Sequence, residues 1–153
     1  MTLVSLKKIL GLALALTSIT THAASFKLAC NMRATYSYST GAVENYAGKA
    51  IVEIEENPRG TIILIASEIE PVNELSITTL AREGLSVDNF SDDSKWEIIN
   101  YSSRSTGKAR TKLTIDRLTG LIVVSKYFSG NLGTTQTQAS GDCESLNIKS
   151  KKF

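Results

Sequence analysis

The sequence predicts an all-β fold: an antiparallel up-and-down barrel or sandwich of about 7–8 strands. The first indication is the stretch FKLACNMRATYSYS, in which apolar or aromatic residues occupy every second position from Phe26 to Tyr38. A two-residue period places those side chains on one face of a strand, so we expect the even-numbered face to be buried and the odd-numbered face to meet water. Similar segments, separated by short turn sequences, recur through the chain, which is typical of barrels and sandwiches.

The first 23 residues read as a bacterial-type secretory signal peptide. Lys7 and Lys8 form a positive start, residues 9–16 form an apolar run, and Thr21-His22-Ala23 supplies small residues at the sites that a signal peptidase reads. The run is too short to cross a bilayer, which needs about 20 apolar residues. Removing 23 residues from 153 leaves 130, a usual size for one domain. We therefore expect a single antiparallel β domain over residues 24–153, periplasmic or secreted, with no transmembrane segment in the mature chain.

The other elements follow in order. Residues 50–70 form a hairpin around Asn57-Pro58-Arg59-Gly60, because Pro presets a type I corner and Gly accepts a left-handed exit. The segment 74–83 stays open between a short helix, capped by Asn73 and ended by Gly84, and an eighth strand or irregular structure. The remaining strands are expected over residues 95–103, 108–116, 121–128 and 134–143, with turns at 117–120 and 129–133.

The two cysteines, Cys30 in the first strand and Cys143 in the last, are expected to form a disulfide bond, because an exported chain folds in an oxidising compartment. The first and last strands of an up-and-down barrel are neighbours, so the bond would lock the closure of the sheet. The loop between the two residues is long, and the chain-entropy model gives such a bond about 4–5 kcal/mol.

The mature chain offers few residues for catalysis or metal binding. The only histidine, His22, lies in the expected signal peptide, which leaves no histidine for a nucleophile system or a metal site. Glu53 and Glu55 are expected on the wet face of their strand rather than as a pair in a cleft. The oxygen-rich segment 88–93 lacks the spacing of a known calcium loop. We therefore expect a protein that is not an enzyme and uses no cofactor or metal.

Charge is divided unevenly along the chain. Residues 44–97 carry 12 acids and 4 bases, whereas residues 98–153 carry 9 bases and 3 acids. A basic row on one strand face must be solvated, paired with the acidic half of the domain, or docked against an anionic protein, glycan or lipopolysaccharide. Nucleic acid is not expected as a partner, because the mature chain is neutral overall and lacks a basic platform studded with aromatic residues. The candidate partner-binding residues are Arg104, Lys108, Arg110 and Lys112.

Two strands are apolar on both faces, at residues 62–65 and 121–124. A one-layer barrel with a wet outside cannot hide both sets of side chains, so something must cover the outer set. The sequence leaves three possibilities: a second sheet, a helix at 74–83, or another chain. The oligomeric state stays open.

The stretch Leu113-Thr114-Ile115-Asp116-Arg117-Leu118-Thr119-Gly120-Leu121, followed by Gly141-Asp142-Cys143, resembles a pattern in small exported proteins of Gram-negative bacteria. Those proteins have an I-D-R-x-T-G hairpin and a G-x-C near the end. The resemblance covers roughly the last third of the chain. It implies a hairpin and a structural cysteine, and no active site.

These observations predict an exported, non-catalytic binding module that acts on a macromolecular partner, such as an enzyme inhibitor or an envelope accessory protein. The alternative is a lipocalin-like barrel that carries a small apolar ligand, since barrels of about eight strands can hold one. The interior of the barrel separates the two functions. A carrier needs an internal cavity of about 300 Å³ or more, whereas a binder has a filled interior and its conspicuous residues outside.

Overall fold

The computed structural model describes residues 24–73 and 75–146, so the expected signal peptide lies outside the described residues. Within them the chain forms nine antiparallel strands and one short 3-10 turn at Glu70–Val72. The strands are β1 Ala24–Tyr38, β2 Val43–Asn57, β3 Gly60–Ser67, β4 Leu75–Thr78, β5 Leu85–Asn89, β6 Lys95–Arg104, β7 Gly107–Asp116, β8 Leu121–Gly130 and β9 Gly133–Ser145.

The nine strands form one sheet in the order β4-β3-β2-β1-β9-β8-β7-β6-β5. Strands that follow each other along the chain are neighbours except β4 and β5, and β1 pairs with β9, so the sheet curls into a nearly closed up-and-down barrel. The predicted fold class is confirmed, with nine strands rather than seven or eight. The gap lies between β4 and β5. Those two strands run in the same direction, because every other neighbouring pair is antiparallel and the number of strands is odd.

The segment 74–83 contains no helix within its described residues: Leu75–Thr78 form β4, paired with β3. The β-branched side chains of Ile77 and Thr78 favour an extended chain over a helix. The fifth strand, Leu85–Asn89, was not predicted. It pairs with β6 on one side only, and an edge strand of this kind keeps most of its side chains in water and so shows little periodicity.

The predicted disulfide bond joins the first strand to the last. Cys30 of β1 and Cys143 of β9 lie directly opposite each other in the ladder, with their Cα atoms 4.0 Å apart, and their sulfur atoms are bonded. Disulfide bonding fits a protein that is exported to an oxidising compartment.

One half of the barrel interior is packed with apolar side chains, and we call it the closed half. Trp96 plugs its end. Its ring donates a hydrogen bond from Nε1 to Glu56 Oε1 at 2.6 Å, and the Arg117 guanidinium lies 3.9 Å from the ring centre while donating to the same oxygen at 3.0 Å. The residues that fill this half include Cys30, Met32, Val52, Ile54, Ile63, Ile65, Ile77, Ile98, Leu113, Ile115, Ile122 and Val124.

The other half, which we call the open half, begins at a single level of the barrel. There the inward positions of five adjacent strands become polar or aromatic, and the ladder registers place these residues side by side. We call this set the polar row; it consists of Tyr36 on β1, Thr137 on β9, Lys126 on β8, Thr111 on β7 and Asn100 on β6.

Asn100 also bridges the gap in the barrel. Its side chain is buried. With the amide oriented to satisfy both groups, Nδ2 donates to the Thr78 carbonyl at 2.9 Å and Oδ1 accepts from the Thr78 N–H at 3.1 Å. The amide therefore makes the two hydrogen bonds to Thr78 that a neighbouring strand would otherwise make, beside the gap where β4 and β5 do not pair.

The I-D-R-x-T-G turn and the later G-x-C have structural roles. Asp116 Oδ1 accepts hydrogen bonds from the N–H groups of Leu118 and Thr119 at 2.9 and 2.8 Å, which fixes the turn between β7 and β8. Gly120 has a φ of 73°, and a Cβ there would lie 2.3 Å from the Cys143 carbonyl. A Cβ at Gly141 would lie 2.2 Å from the Asn31 carbonyl, so only glycine lets β9 pack this closely on β1.

Two of the three structures that could cover the outer apolar residues, a second sheet and a helix at 74–83, are absent from residues 24–73 and 75–146. Those two possibilities are therefore wrong. All nine strands belong to one sheet, and no helix lies over it within residues 24–73 and 75–146. Leu64, Leu121 and Val123 are each close to half exposed. Their cross-strand neighbours are mostly polar, with Leu121 opposite Asp142 and Val123 opposite Ser140, so polar residues separate the exposed apolar positions of β8. Another chain is the possibility that remains for covering them.

Candidate functional site

The outer face of β6, β7 and β8 carries the residues that stand out most for recognition. Arg110 of β7 is paired with Tyr101 of β6 on one side and with Tyr127 of β8 on the other. Its guanidinium carbon lies 5.8 Å from the centre of the Tyr101 ring. Tyr101 is 37% exposed and Tyr127 is 48% exposed, so each presents ring surface and a hydroxyl group to solvent. Two aromatic rings with a cation between them therefore form a row that is open to solvent.

This row of side chains lines a shallow groove of about 580 Å³. Lys108, two residues before Arg110 and on the same face of β7, extends it towards the turn between β6 and β7. The beginning of β5, at Leu85 and Ser86, forms the far wall. We call the set of Tyr101, Lys108, Arg110 and Tyr127 the tyrosine–arginine groove.

The two cations of the groove have no acidic partner in the described part of the chain. No described carboxylate oxygen lies within 4.0 Å of Lys108 or Arg110, since the ion pairs of that part involve other residues. In a domain with an acidic half and a basic half, we expect the basic side chains to pair with the acidic ones. The cations of the groove therefore remain available to an outside anion.

Lys112, on the same face of β7, is placed differently. Its Nζ lies 2.7 Å from Glu97 Oε1, and Lys95 contacts the other oxygen of the same carboxylate. Hydrogen bonds from Lys112 and then from Lys95 lower the pKa of the Glu97 carboxyl below its ordinary value. Lys112 is thus an intramolecular partner of the acidic half of the chain.

Arg104 ends β6 and is exposed. It lies at the mouth of the open half of the barrel, away from the tyrosine rings. Of the four candidate residues named from the sequence, the structure brings Lys108 and Arg110 together in the groove, pairs Lys112 with Glu97, and leaves Arg104 at the barrel mouth.

The acidic residues considered for catalysis lie where alternation predicts. Glu53 contacts Lys27 on the outer face, and Glu55 is exposed, while Val52 and Ile54, which alternate with them, point inward and are fully buried. In the 88–93 segment, Asp92 Oδ1 accepts hydrogen bonds from the backbone and hydroxyl of Ser94, which lowers the pKa of Asp92. Within the described ranges no three His, Cys, Asp or Glu side chains form a cluster suited to a metal ion.

Sequence reasoning missed the two tyrosines of the groove. They lie on different strands, 26 positions apart, and only the register brings them to the same cation. The signal was present in the turn: Arg104 pairs with Gly107, and counting back from that pair places Tyr101 opposite Arg110.

Comparisons of this chain with family models, with curated proteins and with solved structures found no match. None of the helical structure in residues 24–73 and 75–146 is long and apolar enough to cross a membrane.

Proposed function

We propose that this protein is an exported, non-catalytic binding module, periplasmic or secreted, and that an acidic segment of a protein partner docks in the tyrosine–arginine groove. The observation that carries the proposal is the pair of groove cations, Lys108 and Arg110, which lack a described carboxylate within 4.0 Å and are flanked by two exposed tyrosines.

The composition of the groove favours a protein over the other anionic partners. Tyrosine and arginine are enriched at the energetic centres of protein interfaces, because they bring a large contact area and directional hydrogen bonds. The planar guanidinium of Arg110 matches a carboxylate with two parallel hydrogen bonds. Lys108 adds a second positive charge on the same strand face, which accelerates the encounter with an acidic segment.

The absence of catalysis remains part of the proposal. Catalysis needs groups of tuned pKa that converge in a pocket. Here Glu53 is paired with Lys27 on the outer face, and Glu56 is held by Trp96 and Arg117 at the end of the barrel. The groove holds cations and phenols without a base beside them.

The alternative of a lipocalin-like carrier of an apolar ligand receives less support from the interior. The apolar half of the barrel is filled by its own side chains. The space that remains lies in the open half, where threonine, tyrosine, asparagine and lysine line the wall.

A charge-reversal experiment tests the binding proposal. The unmodified protein and the double variant Lys108→Glu/Arg110→Glu are used to capture partners from envelope and extracellular extracts, and each captured species is purified and measured against both. The matched control is Arg33→Glu/Lys49→Glu, which makes the same charge change at exposed positions of β1 and β2. We expect a protein partner whose affinity falls about tenfold or more in the groove variant and is unchanged in the control.

Two results would overturn the proposal. Equal retention of every partner by the groove variant would show that the basic face is only solvated. If the captured species resists protease and binds as purified glycan or lipopolysaccharide, the partner is not a protein, and the proposal of an acidic protein segment is wrong.

A further inference from the structure

The open half of the barrel contains a chamber whose floor is the polar row. Two recesses of about 490 and 470 Å³ open at this end and share Lys126 and Phe128 in their walls. Small-molecule sites usually measure about 300–1,000 Å³. The chamber is therefore large enough for a ligand of several heavy atoms. It lies inside the barrel, on the other side of the β6–β7 wall from the tyrosine–arginine groove.

Lys126 is the charged group on the chamber floor. It points inward, between Thr137 of β9 and Thr111 of β7 in the polar row, and its side chain is partly buried. No carboxylate of the described residues lies within 4.0 Å of its ammonium. The ammonium therefore faces an open recess without a carboxylate partner, and an anionic ligand would supply one.

The other charged groups of the chamber lie at its mouth. Glu70 stands at one side, and Arg82, Glu83 and Arg104 stand at the other. The exception is Glu44, which lies directly opposite Tyr36 and so is level with the polar row. Glu44 accepts a hydrogen bond from the Tyr46 hydroxyl, and this bond raises the pKa of Tyr46 to about 12. The polar row therefore holds one cation, Lys126, and the one carboxylate level with it among the described residues, Glu44, is already bonded to Tyr46. The mouth holds charges of both signs.

This distribution selects among anions. A single lysine on the floor, without an arginine beside it, binds as a point charge and offers no planar fork for a phosphate. Around the chamber three carboxylates outnumber two arginines, and this excess of negative charge repels a dianion more than a monoanion. Both features favour a ligand with one carboxylate over a phosphate ester.

The walls indicate what the carboxylate is attached to. Hydroxyl groups from Thr111, Thr135 and Thr137 and the buried amide of Asn100 offer hydrogen bonds, while Tyr36 and Phe128 present rings. A purely apolar body would leave the hydroxyl groups without partners. A hydroxylated body satisfies them and still packs against the rings.

We propose that the chamber binds a small hydroxylated monocarboxylate, with its carboxylate on Lys126 Nζ and its hydroxyl groups on the threonines of the wall. The site is independent of the tyrosine–arginine groove, so either can fail without the other.

The test is a titration followed by amide NMR shifts and by calorimetry. The probes are gluconate and glucuronate as carboxylates, glucose as the uncharged counterpart, and inorganic phosphate. We expect the carboxylates to shift the amides of Thr111, Lys126 and Thr137, with glucose and phosphate binding about tenfold more weakly or worse. Lys126→Met, which keeps the apolar stem of the side chain, should weaken the carboxylates about tenfold or more, and Lys126→Arg should retain part of the affinity.

The matched control is Lys49→Met, which removes an exposed lysine from the outer face of β2 and should leave carboxylate binding unchanged. Dispersed amide spectra of both variants establish that they fold. The proposal is overturned if no carboxylate of the set moves chamber amides at millimolar concentration, if glucose or phosphate binds as well as the carboxylates, or if Lys126→Met binds them as tightly as the unmodified protein.

Discussion

The closed and open halves of the barrel are built from the same strands but from different side chains. Along the inward face of β8, Ile122 and Val124 are buried in the closed half, and Lys126 follows at the next inward position. Along β7, Leu113 gives way to Thr111 at the same level. The change occurs together on β1, β6, β7, β8 and β9, so it is a boundary across the molecule rather than a local irregularity.

The difference separates the part of the barrel that stabilises the fold from the part that is free to bind. Burying apolar surface contributes about 25 cal/mol per Å², and the closed half holds the fully buried isoleucine and leucine side chains as well as the disulfide bond. A lysine and several hydroxyl groups inside a barrel contribute little to stability. Their presence at one level is explained more simply by recognition than by packing.

The largest expected effect comes from the disulfide bond of the closed half. The double variant Cys30→Ala/Cys143→Ala opens a loop of 113 residues, and the unfolding free energy should fall by about 4–5 kcal/mol. Urea unfolding of the oxidised protein and the variant, followed by tryptophan fluorescence of Trp96, measures this change. A loss below about 1 kcal/mol would show that the β1–β9 seam is closed by its hydrogen bonds alone.

A smaller loss should follow from Asn100→Leu, at the boundary between the two halves. The substitution leaves the N–H and C=O of Thr78 without their partner, which should cost about 1–3 kcal/mol and accelerate hydrogen exchange of the Thr78 amide. Thr111→Val, on the next strand of the same polar row, is the control and should change stability by about 0.5 kcal/mol or less. Equal losses in both variants would mean that Asn100 does not close the gap between β4 and β5.

The smallest expected effect is a pH dependence on the outer face. Lys112 and Lys95 lower the pKa of Glu97 in the folded protein, so the folded state binds fewer protons than the unfolded state. This contribution is present at neutral pH and is lost as the pH falls through about 4 towards the folded-state pKa. The urea midpoint should therefore drop on acidification, and Glu97→Gln should reduce the drop. An identical pH profile for the variant would contradict this role of Glu97.

Much of the fold was accessible from the sequence because alternation and turn residues report it directly. The Asn57–Gly60 turn forms as expected, with Arg59 N–H donating to Asn57 Oδ1 at 2.9 Å. On β1 the even-numbered positions are buried at Cys30, Met32 and Ala34, although Phe26 and Tyr38, at the strand ends, remain 39% exposed. Strands of one sheet with a buried face leave this periodicity in the sequence.

The parts that were missed depend on contacts between distant segments. The short edge strand β5 has a partner only on β6 and carries weak periodicity. The inward direction of Lys126 follows from its strand, but its isolation from carboxylates follows only from where the acids of other strands lie. Predicting the groove requires the pairing register of β6, β7 and β8, which bring its side chains together. Local pattern determines the face of a side chain, whereas a site is defined by its neighbours across the sheet.

The division of the barrel is tested most directly by urea unfolding of two variants of β8, Ile122→Ala and Lys126→Met. Both residues point inward on the same strand, and Ile122 is fully buried. Ile122→Ala should lower the unfolding free energy by about 2–5 kcal/mol, while Lys126→Met should change it by no more than about 0.5 kcal/mol in either direction. If Lys126→Met destabilises the protein as much as Ile122→Ala does, the open half is part of the structural core and the division between fold and binding is wrong.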